Sequence, residues 1–184
     1  MTDPRIKRTR DHVLRVAREM LSEAQGTPLT LSALAARAQV SRRTLYVHWG
    51  TIQHVIRDSV SQSDDRPLLD SSGLSPRQVL RVLLIHIREL MQEPTNSVAY
   101  ATMISQAAQD SAAADVLHSS GDELYERFVT MVGPITFEQY AQLVGPLAYA
   151  VFIGREPVSD QLIDDLVERG AQMLNLTEEA NAPL

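Results

Sequence analysis

The 184-residue chain is predicted to be all-α, with about nine helices: a three-helix N-terminal domain built around a helix-turn-helix, a connecting fourth helix and a C-terminal helical bundle. Two observations predict that class. No stretch of useful length alternates apolar and polar residues with period 2, whereas apolar side chains recur at helical spacing along most of the chain. Caps and breakers then divide those stretches into pieces of ordinary helix length, with Ser, Thr, Gly and Pro at the joints.

The first helix is expected over residues 6–24, with apolar positions at Val13, Val16, Ala17, Met20, Leu21 and Ala24, ended by Gly26 and Pro28. Thr30 caps a second helix whose buried stripe is Leu31, Leu34, Ala35 and Ala38, and the small residues at 35 and 38 let its neighbour approach closely. Ser41 caps a third. Thr51 caps a fourth, reaching to about residue 61 with Val55 and Ile56 inward. Residues 63–75 are polar, with Pro67 and Gly73, and read as a linker. Ser75 and Pro76 open a fifth helix, apolar on most sides as a central bundle element must be, which runs to Gln92 and is stopped by Pro94. Further helices are expected over 96–109, 112–132, 136–153 and 159–174, with Gly133 and Pro134 closing the second of these and residues 178–184 frayed.

Composition removes several classes of function. No run of about 18 apolar residues occurs, and residues 1–10 lack the apolar middle of a signal peptide, so a cytoplasmic chain is expected. With no cysteine there are no disulfides, thiolate metal sites or cysteine nucleophiles. No Ser-His-Asp set, glycine-rich phosphate loop, paired carboxylates or His-x-x-x-His spacing is present. His86 and Glu89 stand three apart, as in a helical carboxylate metal motif, but a second copy is missing. Neither catalysis, nor a metal, nor a cofactor is expected.

The net charge of −6 is unevenly spread. Residues 1–57 carry ten Lys and Arg against four acids, whereas residues 58–184 carry seven against nineteen. One third of the chain therefore suits a polyanion that the rest would repel. That basic third contains the motif, residues 30–55: two short amphipathic helices joined by a tight turn, the second opening Ser41-Arg42-Arg43-Thr44 and closing Tyr46-Val47-His48-Trp49. A helix of this kind is narrow enough to enter a DNA major groove. Arg42, Arg43, Thr44 and Val47 fall on or near its exposed N-terminal side, and the arginines are expected to read G·C pairs, since a guanidinium fits the two acceptors of guanine bidentately. Leu45 and Trp49 are assigned to the core. Arg5, Lys7, Arg8 and Arg10 form either a basic arm for the minor groove or a solubilising tail.

The motif resembles the DNA-binding domain of the TetR family of bacterial transcriptional regulators. The matching residues are Thr30, Leu34-Ala35-Ala36-Arg37-Ala38, Val40-Ser41, the variable pair Arg42-Arg43, Thr44-Leu45-Tyr46, Val47, His48 and Trp49. A weaker echo lies at residues 143–166, similar to the last two helices of many members. Two positions depart from the pattern: Gln39 stands where a glycine is usual in the turn, and Ile52 where a lysine usually opens the fourth helix.

The resemblance implies a division into an N-terminal DNA-binding domain, 1–50, and a C-terminal ligand-binding and dimerisation domain, 51–184. It implies a repressor that binds a palindromic double-stranded operator as a homodimer and is released by a small, largely apolar effector. Thr30, Ser41, Thr44, Tyr46 and His48 would clamp the DNA backbone. Leu143, Leu147, Val151, Leu162, Ile163, Leu166 and Gly170 would form the dimer interface, unless that stripe is an intramolecular core face. His86, Tyr100, Met103 and Tyr125 are candidate lining for the effector pocket. A second reading keeps the fold but makes it a structural or protein-binding helical dimer whose motif reads no operator.

Overall fold

The computed structural model describes residues 4–23, 29–63 and 73–176. The expected helix breakers Gly26 and Pro28, most of the expected linker and the expected frayed tail lie outside the described residues. Among those described there is no strand, and nine α-helices follow one another: α1 (Pro4–Glu23), α2 (Leu31–Arg37), α3 (Arg42–Trp49), α4 (Ile52–Ser63), α5 (Pro76–Gln92), α6 (Pro94–Ala107), α7 (Ser111–Val132), α8 (Phe137–Ala148) and α9 (Asp160–Leu174). A π-helical segment, Tyr149–Gly154, continues α8.

Most helix starts lie where the capping residues predict. Thr30, Ser41, Ser75, Thr136 and Ser159 each accept a hydrogen bond from the backbone N–H three residues on, which satisfies an otherwise orphaned donor and contributes about 1 kcal/mol per cap. Gln78 and Gln139 return the bond to the capping residues, completing two capping boxes. α5 ends at Gln92, ahead of Pro94, as expected, but α6 starts at Pro94 itself rather than at residue 96, because proline lacks only an N–H that the first helical turn leaves unused. Helical geometry also changes after Pro146. This proline sits inside α8 and cannot donate to the preceding turn, and wider π-type hydrogen bonding follows from Tyr149.

The chain packs as two compact units. The first comprises residues 1–66 and 94–120. Its core is built on Val13, Leu14, Val16, Ala17 and Leu21 of α1, Leu34 and Ala35 of α2, Leu45 and Trp49 of α3, and Val55, Ile56 and Val60 of α4. At its centre Arg18 of α1 donates to the Ser59 carbonyl of α4 at 3.0 Å and to Asn96 Oδ1 of α6 at 2.9 Å. Both Ser59 and Asn96 are buried, so these bonds satisfy polar groups that water does not reach.

The second unit comprises residues 67–93 and 121–184. Val79, Leu80, Leu83, Leu84, Ile87 and Met91 of α5 pack with Phe128, Leu143, Leu147, Ile163 and Leu166. Gly170 is needed for the close crossing: a Cβ there would stand 2.6 Å from Leu80 Cδ2 and 3.1 Å from Leu143 Cδ2. On the outer side of α5 and α9, Arg77, Arg81 and Arg88 meet Glu168, Asp164 and Asp160 in an antiparallel ladder.

The hydrogen bond and charge of Arg88 hold the Asp160 carboxyl below its ordinary value. A depressed carboxylate pKa stabilises the fold above the unfolded value, and that contribution disappears as pH falls through the folded value. Asp160→Asn is therefore expected to lower the melting temperature slightly at neutral pH and not at all in acid below the folded pKa. Calorimetry across that range checks it, and the effect is small because Asp160 is largely exposed.

Candidate nucleic-acid interface

The interface begins with the turn between α2 and α3. Val40 N–H donates to the Ala35 carbonyl at 3.1 Å and Gln39 N–H to the Ala36 carbonyl at 3.4 Å, the pair of bonds that defines a Schellman stop. Such a stop needs one residue in the left-handed region, and Gln39 occupies it with φ +53°. The departure from the usual glycine thus leaves the geometry intact and carries a steric cost of about 1 kcal/mol. Gln39→Gly is expected to raise stability by up to about 1 kcal/mol in thermal unfolding, reduced by the larger unfolded-state freedom of glycine. The turn is also held from α1: His12 Nε2 lies 3.0 Å from the Ala38 carbonyl. Where α1 and α2 end, Arg37 clasps Glu23 with two bonds of 2.6 and 2.7 Å.

The second helix of the motif, α3, is eight residues long. Leu45 and Trp49, one turn apart, are its buried anchors, and all else faces outward or sideways. Arg42 and Arg43 are exposed, with no hydrogen bond or ion pair to any described residue, so both guanidinium forks are available. Tyr46 is 58 % and Val47 72 % exposed, which places a phenol and an apolar side chain on the same outward surface. His48 is exposed, its ring edge-on to Trp49 at 5.7 Å.

Thr30 and Ser41 cap their helices by accepting, with bonds of 3.2 and 3.0 Å. A hydroxyl that accepts still owns its proton, so the cap and a bond to a phosphate oxygen are compatible. Ser41 Oγ and Thr44 Oγ1 lie 2.8 Å apart; one donates to the other, leaving one hydroxyl proton of the pair to point outward. Gly50, at φ +72°, ends α3, and Thr51 receives the His54 N–H at the head of α4.

Arg5, Lys7, Arg8 and Arg10 lie in the first two turns of α1 rather than in an extended arm. Arg10 is engaged: it donates to Asp58 Oδ2 at 2.6 Å and stacks over the Trp49 ring at 5.7 Å. Trp49 Nε1 donates to the same oxygen at 3.0 Å, and Arg57 donates to Oδ1 through Nε and Nη2. Sequence reasoning passed over Asp58. Its signal was available, because it is the only carboxylate between Ala24 and Ser63 in an otherwise neutral or basic stretch.

The candidate effector residues do not share one unit. Tyr100 and Met103 belong to α6 in the first, with Met103 buried, and His86 belongs to α5 in the second. Tyr125 lies in the second-unit half of α7, edge-on to Phe137 and Tyr140, with its hydroxyl donating to the Ile135 carbonyl at 2.5 Å. An open groove of about 380 Å³ in the second unit is lined by Ser75, Arg77, Gln78, Arg81, Asp164 and Val167, and by none of the candidate residues.

Of the stripe expected at a dimer interface, Leu143, Leu147, Ile163, Leu166 and Gly170 are buried within the protomer itself, whereas Val151 and Leu162 are half-buried. Exposed instead are Phe137 at the start of α8 and, in the π-helical segment, Tyr149 and Ile153 four residues apart, each at least 60 % exposed.

Residues 13–58 match the profile of the bacterial regulatory proteins of the tetR family. That span runs from the core of α1 through the helix-turn-helix to Asp58. The fold is similar to a TetR transcriptional regulator from Rhodococcus sp. RHA1, with a TM-score of 0.62 at 19 % identity over 91 % of this chain and 96 % of that one. It is similar also to a TetR transcriptional regulator from Agrobacterium tumefaciens, with a TM-score of 0.58 at 19 % identity over 92 % and 95 %. No curated protein matches the chain by sequence. Over residues 13–58 the chain is thus similar to the tetR-family regulatory proteins, and over most of its length it has the fold of these two regulators. No described helix is long and apolar enough to cross a membrane.

Proposed function

We propose that the protein is a repressor that binds a palindromic operator as a homodimer and leaves it when a small effector binds. The observation that carries this reading is the sorting of α3: two buried anchors beneath, and above them the exposed Arg42 and Arg43, which pair with no described residue, with Tyr46 and Val47. Arginines without a partner among the described residues at the head of a groove-sized helix suit guanine edges, and the flanking Thr30, Ser41, Thr44, Tyr46 and His48 suit phosphates. Residues 1–50 would bind DNA, and residues 51–184 would bind the effector and pair the protomers.

Eight residues of recognition helix reach few base pairs, so specificity calls for two copies on half-sites about one helical turn apart or a multiple of it. The surface favoured for pairing is carried by the exposed Tyr149 and Ile153, which lie about one turn apart in the π-helical segment. For release, the effector must prefer the form that does not fit DNA, and a tenfold loss of operator affinity requires about 1.4 kcal/mol of such preference.

Selection of operator sequences from random duplex DNA by the full-length chain tests the reading. A recovered inverted repeat whose binding weakens steeply with salt is the expected result. Recovery of no sequence would favour the alternative, a helical protein-binding dimer.

A further inference from the structure

We infer that Asp58 is the positioning residue of the recognition helix, setting its angle on the DNA without touching the DNA. The inference rests on the DNA-binding reading above. Only Leu45 and Trp49 bury α3, and Leu45 is an apolar contact about which a short helix can rock. Trp49 is the anchor with direction, because its indole N–H must meet an acceptor. Asp58 supplies that acceptor from the neighbouring helix α4, at 3.0 Å.

The carboxylate is itself fixed from two further directions. Its side chain is 11 % exposed, Arg10 of α1 reaches Oδ2 at 2.6 Å, and Arg57 reaches Oδ1 at 3.0 Å through Nη2 and 3.2 Å through Nε. Arg10 also lies over the Trp49 ring, so α1, α3 and α4 meet at a single carboxyl group. Charge-assisted bonds are short and directional, and a group that accepts them from three elements cannot move relative to one of them without losing a bond. Adjacent in sequence, the Ser59 carbonyl accepts from Arg18, which binds Asn96 of α6. Consecutive residues of α4 are thus tied to the recognition helix on one side and to α6 on the other, and a shift of α4 must be passed to Trp49.

Trp49 is the only tryptophan, so its emission reports this junction directly. Affinities of the full-length protein for its selected operator and for unrelated DNA, with Trp49 emission and far-ultraviolet circular dichroism, test the inference in Asp58→Ala, Asp58→Asn and Trp49→Phe. Asp58→Ala is expected to shift the emission and to lower operator affinity by about five- to hundredfold, as for a misplaced bidentate base contact. Its affinity for unrelated DNA should stay equal or rise, because a carboxylate has been removed beside two arginines. Asp58→Asn keeps an acceptor for the indole and should retain operator affinity to within about threefold. Trp49→Phe should repeat the loss, and Asp58→Ala added to it should cost little more operator affinity, because each change breaks the same Trp49–Asp58 bond through which α3 is positioned.

Operator affinity unchanged in a folded Asp58→Ala protein would overturn the positioning role while leaving DNA recognition standing. An equal loss on operator and unrelated DNA, or a loss tracking the unfolded fraction, would overturn it too. A wild-type chain that selects no operator would overturn both readings together.

Discussion

Alanine in place of Arg43, and separately of Arg42, is expected to weaken operator binding by about 1–3 kcal/mol, or about five- to 150-fold, with no change in melting temperature. Stability is spared because both side chains are exposed and engage no described residue. The loss should be confined to operators that keep the G·C pair read by that arginine. Once that pair is exchanged, wild type and variant should bind alike. Titrations against the selected operator and single-pair exchanges of it give the matrix. A uniform loss across all sequences would reassign the side chain to a phosphate. Lysine should not rescue a bidentate contact, since an ammonium carries the charge without the planar fork.

The second large effect separates core from interface. Leu143→Ala is expected to lower unfolding stability by about 2–5 kcal/mol, because Leu143 is fully buried beside Leu80 and Gly170 and truncation leaves a cavity. Tyr149→Asp combined with Ile153→Asp should leave the protomer core untouched, since both side chains are about two-thirds exposed. The acidic pair is expected to convert a dimer to monomers in sedimentation at micromolar concentration and to remove any concentration dependence of the melting temperature. A dimer that survives the acidic pair but dissociates in Leu143→Ala would return the interface to the buried stripe.

Helix order, caps and the helix-turn-helix were legible in the sequence because they depend on neighbours three or four residues away. Ser75 with Gln78 and Thr136 with Gln139 are local arrangements, and the left-handed Gln39 follows from the length of the turn. The buried faces of α8 and α9 were equally legible, but not what covers them: Leu143, Ile163 and Leu166 read identically whether α5 or a second protomer packs on them. That choice depends on chain geometry across many residues. Asp58 stands out in the sequence as a lone carboxylate, but two of its partners, Arg10 and Trp49, lie 48 and 9 residues away and could not be read from it for the same reason. The π-helical segment arises where Pro146 interrupts a strongly helical pattern, and periodicity alone carries no mark of it.

The first compact unit is discontinuous: α1 to α4 are joined in it by α6, which is synthesised only after α5. During translation the helix-turn-helix therefore emerges long before the residues that complete its packing, and Arg18 has Ser59 before it has Asn96. Elements that wait for distant partners fold late and expose apolar surface meanwhile. Competence to bind DNA should accordingly appear on the ribosome only after α6 has left the exit tunnel, and a fragment ending at Arg66 should be unstable even though it contains every residue expected to touch DNA.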